Sequence, residues 1–173
     1  FLSEYRRGKQ LASLDLRNCK ALQGAHNHQN ACAAYAAVRT LGIGPRSVEK
    51  ALKSFTGLAH RSQLVTELRG IVFINDSKAT NVDSAMKALE TFAKVRWICG
   101  GEQKEEDISR LNNSLTNVKK AYVIGTNAAK FSSQIRCEFE ICNTMDIAVK
   151  NAFSDAEGGE TVLLAPAAAS FDQ

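Results

Sequence analysis

The chain has 173 residues, 45% of them hydrophobic and 23% charged, the composition of an ordinary globular protein with room for one domain or one domain and part of another. No apolar run approaches the ~18 residues of a membrane span, and the opening Phe1-Leu2-Ser3-Glu4-Tyr5-Arg6-Arg7 lacks the basic-then-apolar order of a signal peptide. A net charge of +4, carried by scattered Lys and Arg seldom interleaved with aromatics, supports no nucleic-acid footprint and suits phosphate or carboxylate ligands equally well. A first residue of Phe rather than Met is read as polypeptide missing upstream. Cys19, Cys32, Cys99, Cys137 and Cys142 form no CxxC pair, and most of them read as small core residues of a reducing cytoplasm.

Taken in chain order, Arg7-Gly8-Lys9 is predicted as a turn between short strands, the second over Lys20-Ala21-Leu22. Residues 27–41 are alanine-rich and predicted helical, stopped by Gly42 just past the C-cap. Pro45 opens a second helix at its first turn, with Val48, Ala51, Leu52 and Phe55 on one apolar face. From about Leu58 the texture changes. Strands are predicted over residues 64–68, 71–75, 95–99, 121–124, 138–141 and 161–165, and helices over 82–91, 108–115, 128–135 and 145–156. Asn81 or Thr80 would cap the first of these helices and Thr144 the last. Short apolar strands alternating with amphipathic helices argue for an α/β fold: a Rossmann-like, mostly parallel sheet covered on both faces. The antiparallel exception is the hairpin through Arg69-Gly70. The expected division is residues 1–57 and 58–173.

Ligands of open α/β sheets bind beyond the carboxyl ends of the strands. Those ends carry Asn75-Asp76-Ser77-Lys78, Gly100-Gly101-Glu102-Gln103-Lys104, Gly125-Thr126-Asn127 and residues 166–170. One crevice would collect Asp76, Lys78, Thr80, Lys104 and Ser170: two cations, hydroxyl donors and one carboxylate, without a His or Cys nucleophile. Such a set suits an anionic substrate near a metal nucleotide and polarising rather than covalent catalysis. Each member also has a structural reading: Asp76 as an Asx-turn, Thr80 or Asn81 as a cap, Gly100-Gly101 as a tight turn. His26-x-His28 lacks a supporting carboxylate or Cys cluster, so no metal site is assigned.

Five strings occur in the order in which they stand in the Mur ligases. Gly24-Ala25-His26-Asn27-His28-Gln29-Asn30-Ala31 resembles the GxHNxxNAxAA signature of that family. Phe55-Thr56-Gly57-Leu58-Ala59-His60-Arg61 resembles the stretch joining its central and C-terminal domains. Asn75-Asp76-Ser77-Lys78-Ala79-Thr80-Asn81 is similar to the DSKATN motif of the D-glutamate-adding type. Gly100-Gly101 followed by Lys104, and Ala169-Ser170-Phe171-Asp172-Gln173, complete the set.

The resemblance implies an ATP- and Mg2+-dependent ligase. It phosphorylates the carboxylate of UDP-N-acetylmuramoyl-L-alanine, and the amine of D-glutamate then attacks the acyl phosphate. It further implies that residues 1–57 are the helical tail of the central ATP-binding domain and residues 58–173 the D-glutamate-binding domain, truncated at its end. By position, Asn27, Asn30, Arg61 and Asp76 fall on the nucleotide side. Thr80, Lys104, Ser170 and Phe171 fall on the D-glutamate side, and Lys78 beside the phosphate or the developing anion. The parent would be a cytoplasmic, monomeric enzyme free of nucleic acid and membrane. The chain departs from the family in holding no GxxxxGK[ST] string, no carbamylated lysine of the magnesium site and no RG-containing final helix, so the polypeptide alone is predicted inactive. A non-catalytic Rossmann-like module binding an anion or a partner remains the alternative.

Overall fold

The computed structural model describes residues 1–102 and 105–169, Lys20 by its backbone alone. Two compact units divide the chain, Phe1–Gly57 and Leu58–Gln173.

The first unit opens on an antiparallel hairpin of β1 (Leu2–Arg6) and β2 (Lys9–Leu14). Arg7 (φ 51°) and Gly8 (φ 76°) are both left-handed, the two-residue turn whose twist matches the flanking strands. So short a turn fixes the register, Arg6 opposite Lys9 and Leu2 opposite Leu14, and the second strand must begin at once. Lys20–Leu22, predicted as that strand, is instead a 3-10 turn. It is pinned by Cys19 N–H to Leu16 O (3.0 Å) and Leu22 N–H to Cys19 O (2.8 Å), with Cys19 and Leu22 pulled into the core.

Helix α1 (Ala25–Thr40) ends as the glycine signal predicts. Gly42, at φ 80°, donates to Arg39 O at 3.1 Å and Ile43 donates to Val38 O at 3.3 Å, the paired bonds of a Schellman stop. Helix α2 (Pro45–Ser54) starts on its proline. Of its expected apolar face only Val48 is buried and Leu52 half-buried, whereas Ala51 and Phe55 are exposed. Phe55 is the extended C-cap residue, so the helical phase no longer carries its side chain to the core. Tyr35 and Arg39 of α1 both donate to the Glu4 carboxylate, the latter at 3.0 Å, and so tie the helix to β1.

The second unit is a six-stranded sheet in the order β3-β4-β8-β5-β6-β7. Its elements are β3 (Gln63–Leu68), β4 (Ile71–Asn75), α3 (Val82–Thr91), β5 (Val95–Gly100), a 3-10 helix (Ser109–Asn117), β6 (Val118–Ile124), α4 (Ala128–Ser132), β7 (Phe139–Asn143), α5 (Met145–Asp155) and β8 (Thr161–Leu164). Only the β3–β4 pair is antiparallel. It turns through Arg69 (φ 54°) and Gly70 (φ 74°).

Alternation along the strands divides the core. Trp97, Cys99, Val123 and Leu163 pack with α3, α4 and the 3-10 helix, while Ile98, Tyr122 and Val162 pack with α5. The fold is therefore the expected α/β sheet, mostly parallel with one antiparallel pair, covered on both faces. Two predicted helices differ. Residues 109–117 wind as 3-10 helix because the Asn- and Ser-rich run competes with its own backbone, Asn112 Nδ2 donating to Ser109 O at 2.9 Å. Helix α4 stops at Ser132, where the Ser132 and Ser133 hydroxyls back-bond to Ala129 O and Lys130 O. Strand β6 begins at Val118, three residues before the predicted start. The charges of Lys119 and Lys120 mask it, and Lys120 is held by Glu140 and Asp155, both at 2.8 Å.

Candidate functional site

Strand β8 lies between β4 and β5, so the segment that follows it runs between the loops leaving those two strands. Backbone bonds fasten all three. Asp76 N–H donates to Leu164 O (2.8 Å), Ala165 to Ile98 O (3.1 Å), Gly100 to Pro166 O (2.9 Å) and Ala167 to Ala79 O (2.8 Å). Glu102 and Ala169 exchange a pair of bonds at 2.6 and 3.0 Å. The sheet's carboxyl edge is thus a hydrogen-bonded floor, with Ala165, Ala167, Ala168 and Ala169 buried beneath it.

Gly100 is required there. At φ 103°, a Cβ on it would stand 2.3 Å from Ile124 O. The neighbouring Cys99 thiol is fully buried, and that burial pushes its pKa well up, so it is held neutral and is no nucleophile at this edge.

The turn that enters the unit leans on the same edge. Arg61 N–H donates to Leu58 O at 3.2 Å, closing a turn in which His60 takes φ 66°; Ser62 follows at φ 43°. Lys78 N–H donates to His60 O at 3.1 Å, and Gln63 Oε1 accepts the His60 N–H at 2.9 Å. The Ser62 hydroxyl donates to Asp76 Oδ2 at 3.4 Å. Asn75 places its amide 3.2 Å from His60 Nδ1 and accepts the Ser77 N–H at 3.0 Å.

Beyond Asp76, Ala79 N–H donates to Asp76 O at 2.8 Å, and Thr80 N–H to Lys78 O at 2.9 Å. Asn81 then caps α3, its side chain accepting the Ser84 N–H at 2.8 Å. The Val82 N–H, first in that helix, is taken by Glu105 Oε1 at 3.2 Å.

Arg61, Asp76, Lys78 and Thr80 therefore stand on adjoining, mutually bonded backbone, with Asp76 buried and the other three exposed. Asn27 and Asn30 lie in the first unit, three residues apart near the start of α1; Asn27 is half-buried and donates to Gln23 O at 2.8 Å, and Asn30 is exposed. Lys104, Ser170 and Phe171 lie outside the described residues. His60, Ser62, Gln63 and Asn75 were assigned no role from the sequence. Asn75 alone carries a signal, a polar amide ending the apolar run 71–74 at the point where the chain must turn. Thr144 takes the predicted N-cap position of α5, its hydroxyl bonded to the Asp146 carboxylate and not to a backbone amide. Among the described residues no group of three or more His, Cys, Asp or Glu gathers as metal ligands would.

The family described as Mur ligase, glutamate ligase domain, matches residues 60–168. UDP-N-acetylmuramoylalanine–D-glutamate ligase of Ruegeria pomeroyi is 60% identical over 173 residues, all of this chain and 37% of that protein. The ligase of the same name from Cereibacter sphaeroides (strain ATCC 17025) is 61% identical over 174 residues. The chain thus spans a little over a third of these relatives, 37% in each case.

Among solved structures, UDP-N-acetylmuramate-alanine ligase MurC of Thermotoga maritima superposes with a TM-score of 0.70 at 20% identity, covering 94% of this chain and 38% of its own. The bifunctional folylpolyglutamate synthase/dihydrofolate synthase of Yersinia pestis, complexed with AMPPNP and Mn ion, gives 0.67 at 21%, covering 91% and 39%. At such identities these two carry the fold alone. With more than half of its length matched by the family's glutamate ligase domain, the chain belongs to the Mur ligase family.

Proposed function

We propose that this chain is the D-glutamate-handling part of the ligase that joins D-glutamate to UDP-N-acetylmuramoyl-L-alanine through an acyl phosphate, in peptidoglycan precursor synthesis in a bacterial cytoplasm. The observation that carries the reading is 60% identity along all 173 residues to a protein of that name. Residues 75–81 add to it, since the family string of the D-glutamate-adding type falls on the bonded loop at the carboxyl end of β4.

In this reading Arg61 and Asp76 face the nucleotide. A guanidinium suits phosphate oxygens and a carboxylate suits ribose hydroxyls. Asn27 and Asn30 stand on the adenine side. Thr80, with Lys104, Ser170 and Phe171, takes the two carboxylates and the carbon chain of D-glutamate, where an unpaired carboxylate is costly. Lys78 stabilises phosphate or the anion that develops on the reacting carbonyl. ATP supplies the phosphoryl group, and the phosphate-binding loop and the Mg2+ ligands are assigned to the part of the monomeric ligase outside this chain. The residues present fit that division, since Arg61, Lys78 and Thr80 carry donors suited to phosphate and carboxylate oxygens and Asp76 an acceptor suited to ribose hydroxyls.

The test is a chimera in which this chain replaces the matching segment of the Ruegeria pomeroyi ligase. ADP release that requires D-glutamate, and is lost in Thr80→Ala or Lys104→Ala, is the expected result. The chain alone should give no turnover. A folded chimera that is inactive, or that works equally well with L-glutamate, overturns the proposal, and inactivity favours a non-catalytic binding module.

A further inference from the structure

Asn75 ends β4 with an amide engaged on both sides. Its Oδ1 accepts the Ser77 N–H at 3.0 Å, which fixes the orientation of the amide and turns Nδ2 toward Nδ1 of His60, 3.2 Å away. With Nδ2 as donor, His60 Nδ1 is the acceptor, and the imidazole proton resides on Nε2.

The residue so held is a strained one. His60 (φ 66°) and Ser62 (φ 43°) place Arg61 between two left-handed non-glycine residues. Left-handed backbone brings Cβ against the neighbouring carbonyl, so such a residue persists only where the surroundings over-determine it. The restraints here run to β4 and the loop after it: Lys78 N–H on His60 O, the Ser62 hydroxyl on Asp76, and the Asn75 amide on the His60 ring. The Asn75 side chain reaches both parties, the 76–78 turn through Oδ1 and the His60–Ser62 turn through Nδ2.

We infer that Asn75 is a positioning residue for the ligase reaction, locking the turn that presents Arg61 to the loop that presents Asp76, so that guanidinium and carboxylate meet the phosphates and ribose of one nucleoside triphosphate in fixed register. The inference rests on the nucleotide-side reading of Arg61 and Asp76 given above. It adds that their spacing is set by an amide that itself contacts no substrate. Loss of that amide frees the His60–Ser62 turn first and so acts on nucleotide binding, while on the D-glutamate side Thr80 keeps its own bond to Lys78 O and Asn81 beside it keeps its cap on α3.

The experiment uses the chimeric ligase, with KM for ATP, KM for D-glutamate and melting temperature measured separately. Asn75→Leu, close in shape but without donor or acceptor, is expected to raise KM for ATP about tenfold while KM for D-glutamate stays within about twofold. Asn75→Asp keeps the acceptor for Ser77 and accepts from His60 in its other tautomer, and most of the ATP affinity should return. If the leucine variant does not fold, Asn75→Ser carries the test. It still accepts from Ser77 but is too short to reach His60, and the same rise is expected.

An equal rise in both KM values, or a lowered melting temperature with unchanged kinetics, overturns the positioning role. Arg61→Ala and Asp76→Ala separate the two levels. If both move KM for ATP while the Asn75 variants do not, this inference falls alone; if neither moves it, the nucleotide reading falls and takes the inference with it.

Discussion

A methyl group is the smallest change that tests the carboxyl edge of the sheet. Alanine at Gly100 would have to relieve a 2.3 Å contact with Ile124 O at a φ of 103°, and the neighbour is backbone that cannot swing aside. Gly100→Ala should therefore cost at least about 2 kcal/mol in a denaturant melt. An alanine variant as stable as the parent would show that β6 gives way at Ile124. From the sequence, the structural reading of Gly100-Gly101 is a tight turn, and the Ile124 contact accounts for Gly100 by backbone approach alone. The same limit holds for His60 and Ser62. Left-handed backbone at residues other than glycine leaves no mark in composition, so the strained surroundings of Arg61 emerge only in three dimensions.

Among the elements, those with punctuation were legible and those without were not. Helix α3 runs over the predicted residues because Asn81 caps it and four buried apolar residues, Val82, Ala85, Ala88 and Leu89, keep the helical period. Asn81→Ala should remove the bond to the Ser84 N–H and cost about 1 kcal/mol by chemical denaturation. A loss well under half of that would mean that water or Glu105 takes over the amide. The hairpin from β3 to β4 was legible from Arg69-Gly70. The first hairpin was misread past Lys9, since Lys9-Gln10 are polar and exposed and the pairing that makes them a strand comes from the turn, not from apolar alternation. The 3-10 segment Ser109–Asn117 kept Leu111 and Leu115 at helical spacing, and the competing side-chain bonds that tighten it do not show in that spacing.

Across the second unit as a whole, a buried ion pair lies at the opposite end of the strands from the proposed site. Near the amino ends, Arg96 holds Glu160 at 2.7 Å with the two side chains 16% and 6% exposed. Burial pushes the Glu160 carboxyl up, but the bonds from Arg96 and the Glu157 N–H outweigh it and leave its pKa lowered. Removing one member of so buried a pair strands the other. Glu160→Gln should destabilise by about 3 kcal/mol while leaving the ligase KM values of a folded chimera unchanged. Altered KM values at full stability would place the pair in the working site instead.

Beside it, Lys120 bonds Asp155 and Glu140, which raises the lysine and lowers both carboxyls, the latter from ordinary values of 3.8 and 4.5. Their contribution is present above about 4.5 and is lost as pH falls through the lowered folded-state values, because the unfolded chain takes up protons first. The lysine's share persists to alkaline pH, above its ordinary 10.5. Melting temperature followed from neutral pH down to about 3 should therefore drop below about 4.5, and the drop should shrink in an Asp155→Asn, Glu140→Gln double variant. An unchanged acid limb in that variant would assign acid sensitivity to other carboxylates.

The place of β8 has a bearing on how this sheet is built. It is the last strand in sequence among the described residues, yet it is inserted between β4 and β5 at the centre of the ladder. Until Thr161–Leu164 leaves the ribosome, both neighbours carry open edges and the carboxyl-edge floor has no middle plank. The expectation is that the domain folds in one late step rather than strand by strand, since pairings distant in sequence are slow and exposed to misassembly. A released chain truncated before Thr161 should be digested readily along its whole second unit, and one extended through β8 and the segment after it should be protected along all of it together.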